Sequence, residues 1–356
     1  MTTRRTFLAA TAAALATPFL NKRAMAAQTI NVQIGSSHPT SNIWVWAMQN
    51  VLQPEANRLL EEAGGNYTLS FQENYGGTLY KFQDTRAAVR DGIVDIGMVG
   101  TVWEGSKMPL QNVTYFTPFA NSDHFAVIEI FDELTDTLPA LRAGWENENM
   151  VHISSLITDS YDVYSNFELN RFADLANRRI SAPGTSANWL TGTGATPVNG
   201  ALTTYYTDIQ TGVSEGTLSF ASGIYPTRVY EVAPYLTRVG LGSMYFGGIG
   251  VNKRFFDNQP EEVQAALRAA GKITSRRHGE YVQEQASTGL SKMQEAGLAI
   301  SDMATEERIL WAESLPNVTA PWLEAAGPDA KIVLDAYFAA LRERGIEPLR
   351  EWDKEA

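Results

Sequence analysis

The 356-residue chain contains no cysteine, which excludes disulfides, thiolate nucleophiles and cysteine-ligated metals. Histidine is scarce as well. The four present, His38, His124, His152 and His278, are scattered without the spacing of a metal site. Neither HExxH nor GxSxG occurs, and Gly192-Thr193-Gly194 lacks the third glycine of a dinucleotide fingerprint. Asp159 and Asp162 sit three residues apart, a spacing too common to define an acid pair for catalysis. Basic residues are in the minority: 28 Lys+Arg against 40 Asp+Glu, a formal charge of −12. That balance argues against nucleic acid, which needs basic patches. After the first residues, no run is apolar enough to span a bilayer, which takes roughly 20 residues.

The chain opens on Thr3-Arg4-Arg5-Thr6-Phe7-Leu8, a weakly apolar run from Ala9 to Leu20, Lys22-Arg23 and then Ala24-Met25-Ala26. This order reads as a twin-arginine export signal over residues 1–26 with a small-x-small cleavage site, and places the mature protein in the periplasm. The remainder is long enough for two lobes with their own cores. Alternation at Ile30, Val32 and Ile34 predicts a strand ending in Gly-Ser-Ser-His-Pro. Trp44, Met48, Val51 and Leu52 then mark one face of a helix that stops at Gly64-Gly65. A strand over Tyr67–Phe71, a helix over Phe82–Arg90 stopped by Asp91-Gly92, and a strand over Ile93–Val99 complete a β-α-β-α-β order, the pattern of a mostly parallel sheet with flanking helices. Arg179–Ala182 predicts a strand closed by Pro183-Gly184. Gly-Ala-Thr-Pro-Val around residue 196 predicts another, and Tyr205–Gly212 a helix with a C-terminal glycine. The longest helical signal runs from Pro260 to about Ala296, interrupted only by Gly271 and Gly279. Its length suits an element passing from one lobe to the other. Amphipathic helices follow from Glu306, then a loose charged end, Arg350–Ala356.

The stretch Asp174–Ser219, with Asp-Leu…Arg-Ile-Ser-Ala-Pro followed by Gly-Ala-Thr-Pro, resembles the second-lobe core of the DctP-like extracytoplasmic solute receptors of TRAP transporters. Gly77-Thr78-Leu79, Asp91-Gly92-Ile93-Val94-Asp95-Ile96, Thr117-Pro118-Phe119, Asn252–Phe256 and Gln259–Gln264 match further segments of that family in order. The resemblance implies an α/β fold of two-lobed periplasmic-binding-protein architecture, with hinge strands near residues 150 and 240 and a spine helix between lobes. Lobe 1 is expected over 27–150 plus 240–285, and lobe 2 over 151–239 plus 286–350. It also implies a receptor that closes on a small-molecule solute and docks to the membrane subunits of a TRAP transporter. A monomer is expected, and no segment names a cofactor.

The family holds a substrate carboxylate with an arginine after Lys-Ile, a second arginine before the second lobe and an asparagine. The corresponding positions here carry Ser181, Tyr161 and Ser219. A hydroxyl cannot reproduce a bidentate arginine clamp. Arg178 lies outside the aligned pattern, and Arg179 points opposite to 181 on a strand. Trp103 falls where some members carry an arginine, with Glu104 beside it. Tyr245 and Phe246 precede a glycine-rich strand at the cleft edge, and Trp189 lies in the second lobe. Aromatic faces with a carboxylate suit a small cation, and Glu73 and Asp159, each following a predicted strand, are the candidate acids, ahead of Asp162 and Glu104. The leading expectation is therefore a small amine or amino alcohol. The alternatives are an organic acid bound through backbone N–H groups or Arg178/Arg179, and a cofactor-loaded periplasmic enzyme on a related fold.

Overall fold

The structure, a computed structural model, describes residues 27–356; the export-signal expectation falls on residues outside that range. Among the described residues eleven strands form two sheets: β1 (Gln28–Gly35), β2 (Tyr67–Asn74), β3 (Ile96–Gly100), β4 (Met150–Ile157), β5 (Tyr161–Ser165), β6 (Arg179–Ala182), β7 (Thr196–Asn199), β8 (Gly216–Ser219), β9 (Tyr235–Gly242), β10 (Tyr245–Asn252) and β11 (Ala299–Asp302). The first sheet has the order β2-β1-β3-β10-β4 and the second β11-β9-β5-β8-β6-β7. In the first sheet only β10 runs against its neighbours, and in the second only β5 does. Each is the strand that enters from the other sheet. A chain arriving directly across the gap comes in at the opposite end from one brought back by a helix, so it must pair antiparallel.

The crossings are two short segments, Thr158–Ser160 between β4 and β5 and Ser243–Met244 between β9 and β10. They hydrogen-bond to each other: Thr158 N–H donates to Met244 O (3.0 Å), Met244 N–H to Thr158 Oγ1 (3.2 Å), and Ser243 Oγ to Thr158 O. The first crossing therefore lies beyond the expected position near 150, because β4 pairs with β10 along its length and belongs to the first sheet.

The predicted elements form where hydrophobic periodicity and glycine placement agree. The helix marked by Trp44, Met48, Val51 and Leu52 spans Ile43–Glu62, with a π-helical turn at Met48–Leu52, and buries all four. The strand expected over Ile93–Val99 starts later, at Ile96. Ile93 N–H and Val94 N–H bond back to Ala88 O (2.9 and 3.2 Å), so these residues cap the preceding helix instead.

The spine helix, Glu261–Glu295, has 35 residues and so a length of about 52 Å. It packs on β4 and the Gln53–Glu62 helix at one end and on the Ala221–Thr227 helix of the second lobe at the other. A Cβ at Gly271 would overlap the Ile153 carbonyl, so this glycine lets the helix lie directly on β4. The C-terminal part departs from the expected lobe 2 assignment. Helices Thr319–Ala326 and Asp329–Glu343 pack on Leu110–Phe116, and the latter also on His124–Thr137 of the first lobe. Trp322 Nε1 donates to Pro109 O (2.8 Å) and Thr319 Oγ1 to Phe116 O (2.8 Å). Nor is the end of the chain loose. Trp352 is fully buried and donates to Pro118 O (2.7 Å), while Arg350 lies over its ring and binds the Ala312 and Leu315 carbonyls.

Candidate functional site

The C-terminal ends of the parallel strands in the two sheets face each other, the position at which α/β sheets expose ligand-binding loops. From the first sheet come Ser36-Ser37-His38 after β1, Thr101–Trp103 after β3 and the 3-10 segment Leu110–Phe116; from the second come Gly184–Leu190 after β6, Phe220 after β8 and Tyr161 at the start of β5. The two faces touch. Trp189 Nε1 donates to Tyr115 O (2.6 Å), and Thr185 Oγ1 lies 3.4 Å from Asn112 Oδ1 and 3.5 Å from Val102 O. Gly184 adopts φ +48°, and a Cβ there would overlap the Val102 carbonyl oxygen. Only glycine combines that backbone angle with so close an approach.

A continuous aromatic seam lines this junction. Phe82, Trp103, His38 and Trp44 are linked at centroid distances of 5.2, 6.0 and 5.4 Å. Trp44 stacks on Phe246 at 3.5 Å and meets Phe220 of the second lobe at 5.9 Å. From Phe220 the seam continues to Tyr161 (5.1 Å), Trp189 (5.3 Å) and back to Tyr115 of the first lobe (5.7 Å). Trp103, Phe246, Tyr161 and Trp189 are thus brought together at the junction. His38, Trp44, Tyr115 and Phe220 were missed. His38 had a usable signal, the Ser-Ser-His-Pro turn at the end of the first strand. Trp44 read as core from its helical spacing, and Tyr115 lies in a 3-10 segment without periodicity.

Ser181 and Ser219 lie on the second sheet, where Ser181 pairs with Thr217 and Ser219 follows two residues along β8. Both are buried. Ser181 Oγ donates to Ser214 Oγ (2.9 Å), whereas Ser219 Oγ has no hydrogen-bond partner among the described residues. The remaining candidates are used elsewhere. Tyr245 alternates to the opposite face from Phe246 and stacks on Phe131 at 3.9 Å, its hydroxyl 3.4 Å from His152 Nε2. Glu73 is exposed on the edge strand β2, its carboxylate taken by the Gln49 and Gln53 amides (2.9 Å each). Asp159 accepts from Ala221 N–H (2.9 Å) and Ser222 Oγ (2.5 Å), fixing the first crossing to the start of the Ala221–Thr227 helix; burial pushes its carboxyl up to about 6. Asp162 Oδ1 accepts from Val239 and Gly240 N–H (2.7 and 2.8 Å) beside the irregular β5–β9 pairing, and burial raises it to about 7. Glu104 turns inward to Arg86 (2.7 Å), which also pairs with Glu148.

Neither arginine near Ser181 is free to act as a carboxylate clamp. Arg178 pairs with Glu215 (2.9 Å) over the Phe167 ring (4.1 Å), and Arg179 donates to the Val213 and Gly212 carbonyls. His38 is buried, which lowers its pKa to about 3, so the imidazole in the seam is neutral. Lys81, beside Phe82, is exposed and donates to Gly77 O (2.8 Å). The seam therefore offers aromatic faces and neutral polar groups.

A model of the bacterial extracellular solute-binding protein family 7, DctP, matches residues 46–324. The chain belongs to this family. It is 26% identical over 308 residues to the ectoine/5-hydroxyectoine-binding periplasmic protein UehA of Ruegeria pomeroyi, covering 83% of this chain and 88% of that protein. It is 30% identical over 148 residues to the C4-dicarboxylate-binding periplasmic protein DctP of Rhodobacter capsulatus, covering 41% and 44%. An extracytoplasmic solute receptor of Bordetella pertussis that binds pyroglutamic acid superposes with a TM-score of 0.76 at 20% identity, over 88% of this chain and 100% of the other. The chain is thus a bacterial extracellular solute-binding protein of the DctP family with the two-lobed α/β fold. These relatives and structural neighbours are solute-binding proteins rather than enzymes, so the expected enzyme alternative falls away.

Proposed function

We propose that this receptor carries a compact polar solute without net negative charge, either a small amine or amino alcohol or a cyclic zwitterion of the ectoine type. The observation that supports this reading is the neutral character of the aromatic seam, together with Ser181 in place of the family's clamping arginine and tied to Ser214. A cationic or delocalised ring gains about 0.5–2 kcal/mol from each aromatic face it meets. Arg178 and Arg179 are both committed to other partners, which disfavours one of the two expected routes to an organic acid and leaves that through backbone N–H groups. The 26% identity to an ectoine/5-hydroxyectoine-binding protein, spread over most of both chains, points the same way. Export by the twin-arginine signal and action as a monomer belong to the same proposal.

Thermal-shift measurements on the mature chain test it with ectoine, 5-hydroxyectoine, choline and ethanolamine against pyroglutamate, glucuronate and a C4-dicarboxylate. Binding at 100 times Kd stabilises by about 2.7 kcal/mol, a rise of several degrees. Stabilisation by members of the first group supports the reading; stabilisation by the acids alone overturns it.

A further inference from the structure

Twelve buried side-chain polar atoms among the described residues have no hydrogen-bond partner; three of them belong to the seam, His38 Nε2, Trp103 Nε1 and Tyr115 OH, and a fourth, Ser219 Oγ, is on the residue before Phe220. Orphaned groups of this kind are costly and rare in folded proteins. Here they come from both lobes. His38, Trp103 and Tyr115 follow first-sheet strands or the segments after them, and Ser219 immediately precedes Phe220, which meets Trp44 across the junction. Each remaining polar atom of these side chains, where there is one, is already engaged. His38 Nδ1 is 2.9 Å from Ser37 Oγ, which fixes the ring and leaves Nε2 directed elsewhere. The indole of Trp103 is held by Phe82, Phe246 and His38, and the ring of Tyr115 by Trp189 and Tyr161. The groups are held rigidly, and apart from the Tyr115 hydroxyl, which interacts with that of Tyr161, they have no partner among the described residues. That is how a binding site holds its specificity contacts before the ligand arrives.

We infer that His38 Nε2, the Trp103 indole N–H, the Tyr115 hydroxyl and the Ser219 hydroxyl are the hydrogen-bonding contacts that receive the polar end of the solute, replacing a charged clamp with neutral groups. This rests on the reading of the junction as the solute site. Neutral groups orient a carbonyl, hydroxyl or zwitterion carboxylate without favouring net negative charge, so they select by shape and hydrogen-bond pattern. A solute lacking the matching polar group leaves them buried and unpaired, and is rejected for that reason.

Trp103→Phe, Tyr115→Phe and Ser219→Ala each delete one orphaned atom and keep most of the side chain's packing. Tyr80→Phe serves as a control, because its hydroxyl is also unpaired and buried but lies against Gly97 inside the first lobe. In the solute-free mature protein Trp103→Phe and Ser219→Ala should melt at or above the wild-type temperature, since they remove a group that forms no internal bond; Tyr115→Phe also loses its interaction with the Tyr161 hydroxyl and is read by affinity alone. Calorimetric titration with the panel compound that stabilises the wild type should show a loss of affinity of roughly two- to tenfold per deleted group, with Tyr80→Phe unchanged. Seam variants that melt lower while binding normally would overturn the inference. If no compound of the panel binds the wild type, the proposed solute class fails, and the solute-free melting temperatures alone decide the inference: lower values mean the atoms serve the fold.

Discussion

Ser181 and Gly184 are three residues apart, and they govern different steps. The hydroxyl of Ser181 bonds to Ser214 and is buried, so the position that resembles an arginine clamp has become part of the second lobe's interior. Arg178→Ala and Arg179→Ala should accordingly leave solute affinity within about twofold of wild type by calorimetry, as expected for surface groups paired elsewhere. A large loss in either would restore the acid-binding alternative. Gly184 sets the approach of the lobes. With φ +48° and the Val102 carbonyl against its Cα, Gly184→Ala has to open the junction. Its expected signature is solute affinity weakened by roughly tenfold or more, with only a small drop in the melting temperature of the solute-free protein, because closure is driven only by contacts that the closed form makes better than the open one.

The spine helix and the strands it covers show how an element is specified by one position as much as by its pattern. Helical periodicity over 260–296 matched the observed Glu261–Glu295, yet Gly271 looked like a weakness in it. In the fold that glycine is the contact with Ile153 on β4. Gly271→Ala gains helix propensity of about 1 kcal/mol and forces the helix away from the strand, which costs more when a core is overpacked, typically 1–3 kcal/mol. A fall in melting temperature of a few degrees is expected, measured by calorimetry; a rise would mean that the helix–strand contact is looser than described. The antiparallel strands β5 and β10 carry the same lesson. Their direction follows from where the chain crosses.

At the scale of the molecule, buried titratable groups oppose one another. Asp162, pushed up from 3.8 to about 7 by burial, holds its proton more tightly when folded; its contribution is complete below about pH 4 and is lost as pH rises through 7. Asp132 and Asp159, each raised to about 6, act in the same sense. The neutral histidines His38, His152 and His278, lowered to about 3–4, work the other way: their contribution is full above pH 6.5 and is lost as pH falls toward 4. Above neutrality the carboxyls remain. Asp162→Asn keeps Oδ1 as the acceptor for Val239 and Gly240 N–H and removes the ionisation. The melting temperature of the variant relative to wild type should therefore be higher at pH 8 than at pH 5. An equal difference at both values would place the Asp162 pKa near that of the unfolded chain.

The sequence by itself determined the class of protein. Strand alternation, helix-ending glycines and the order of short motifs are local signals that survive without neighbours, and they were enough to lead to a TRAP receptor with two lobes and a spine helix. It also led to the expectation that Ser181 takes the place of a usual arginine. Only the tertiary structure decided which residues share the junction. Phe246 faces it and Tyr245 does not, although they are adjacent, because β10 lies between two layers. Asp159 and Asp162 are consumed by backbone N–H groups that come into reach only at the crossings. The helices after residue 319 cover the first lobe because the buried Trp322 and Trp352 donate to carbonyls of Pro109 and Pro118, far away in the chain. Amphipathic spacing says that a face is buried; what buries it is settled by contacts more than 200 residues apart.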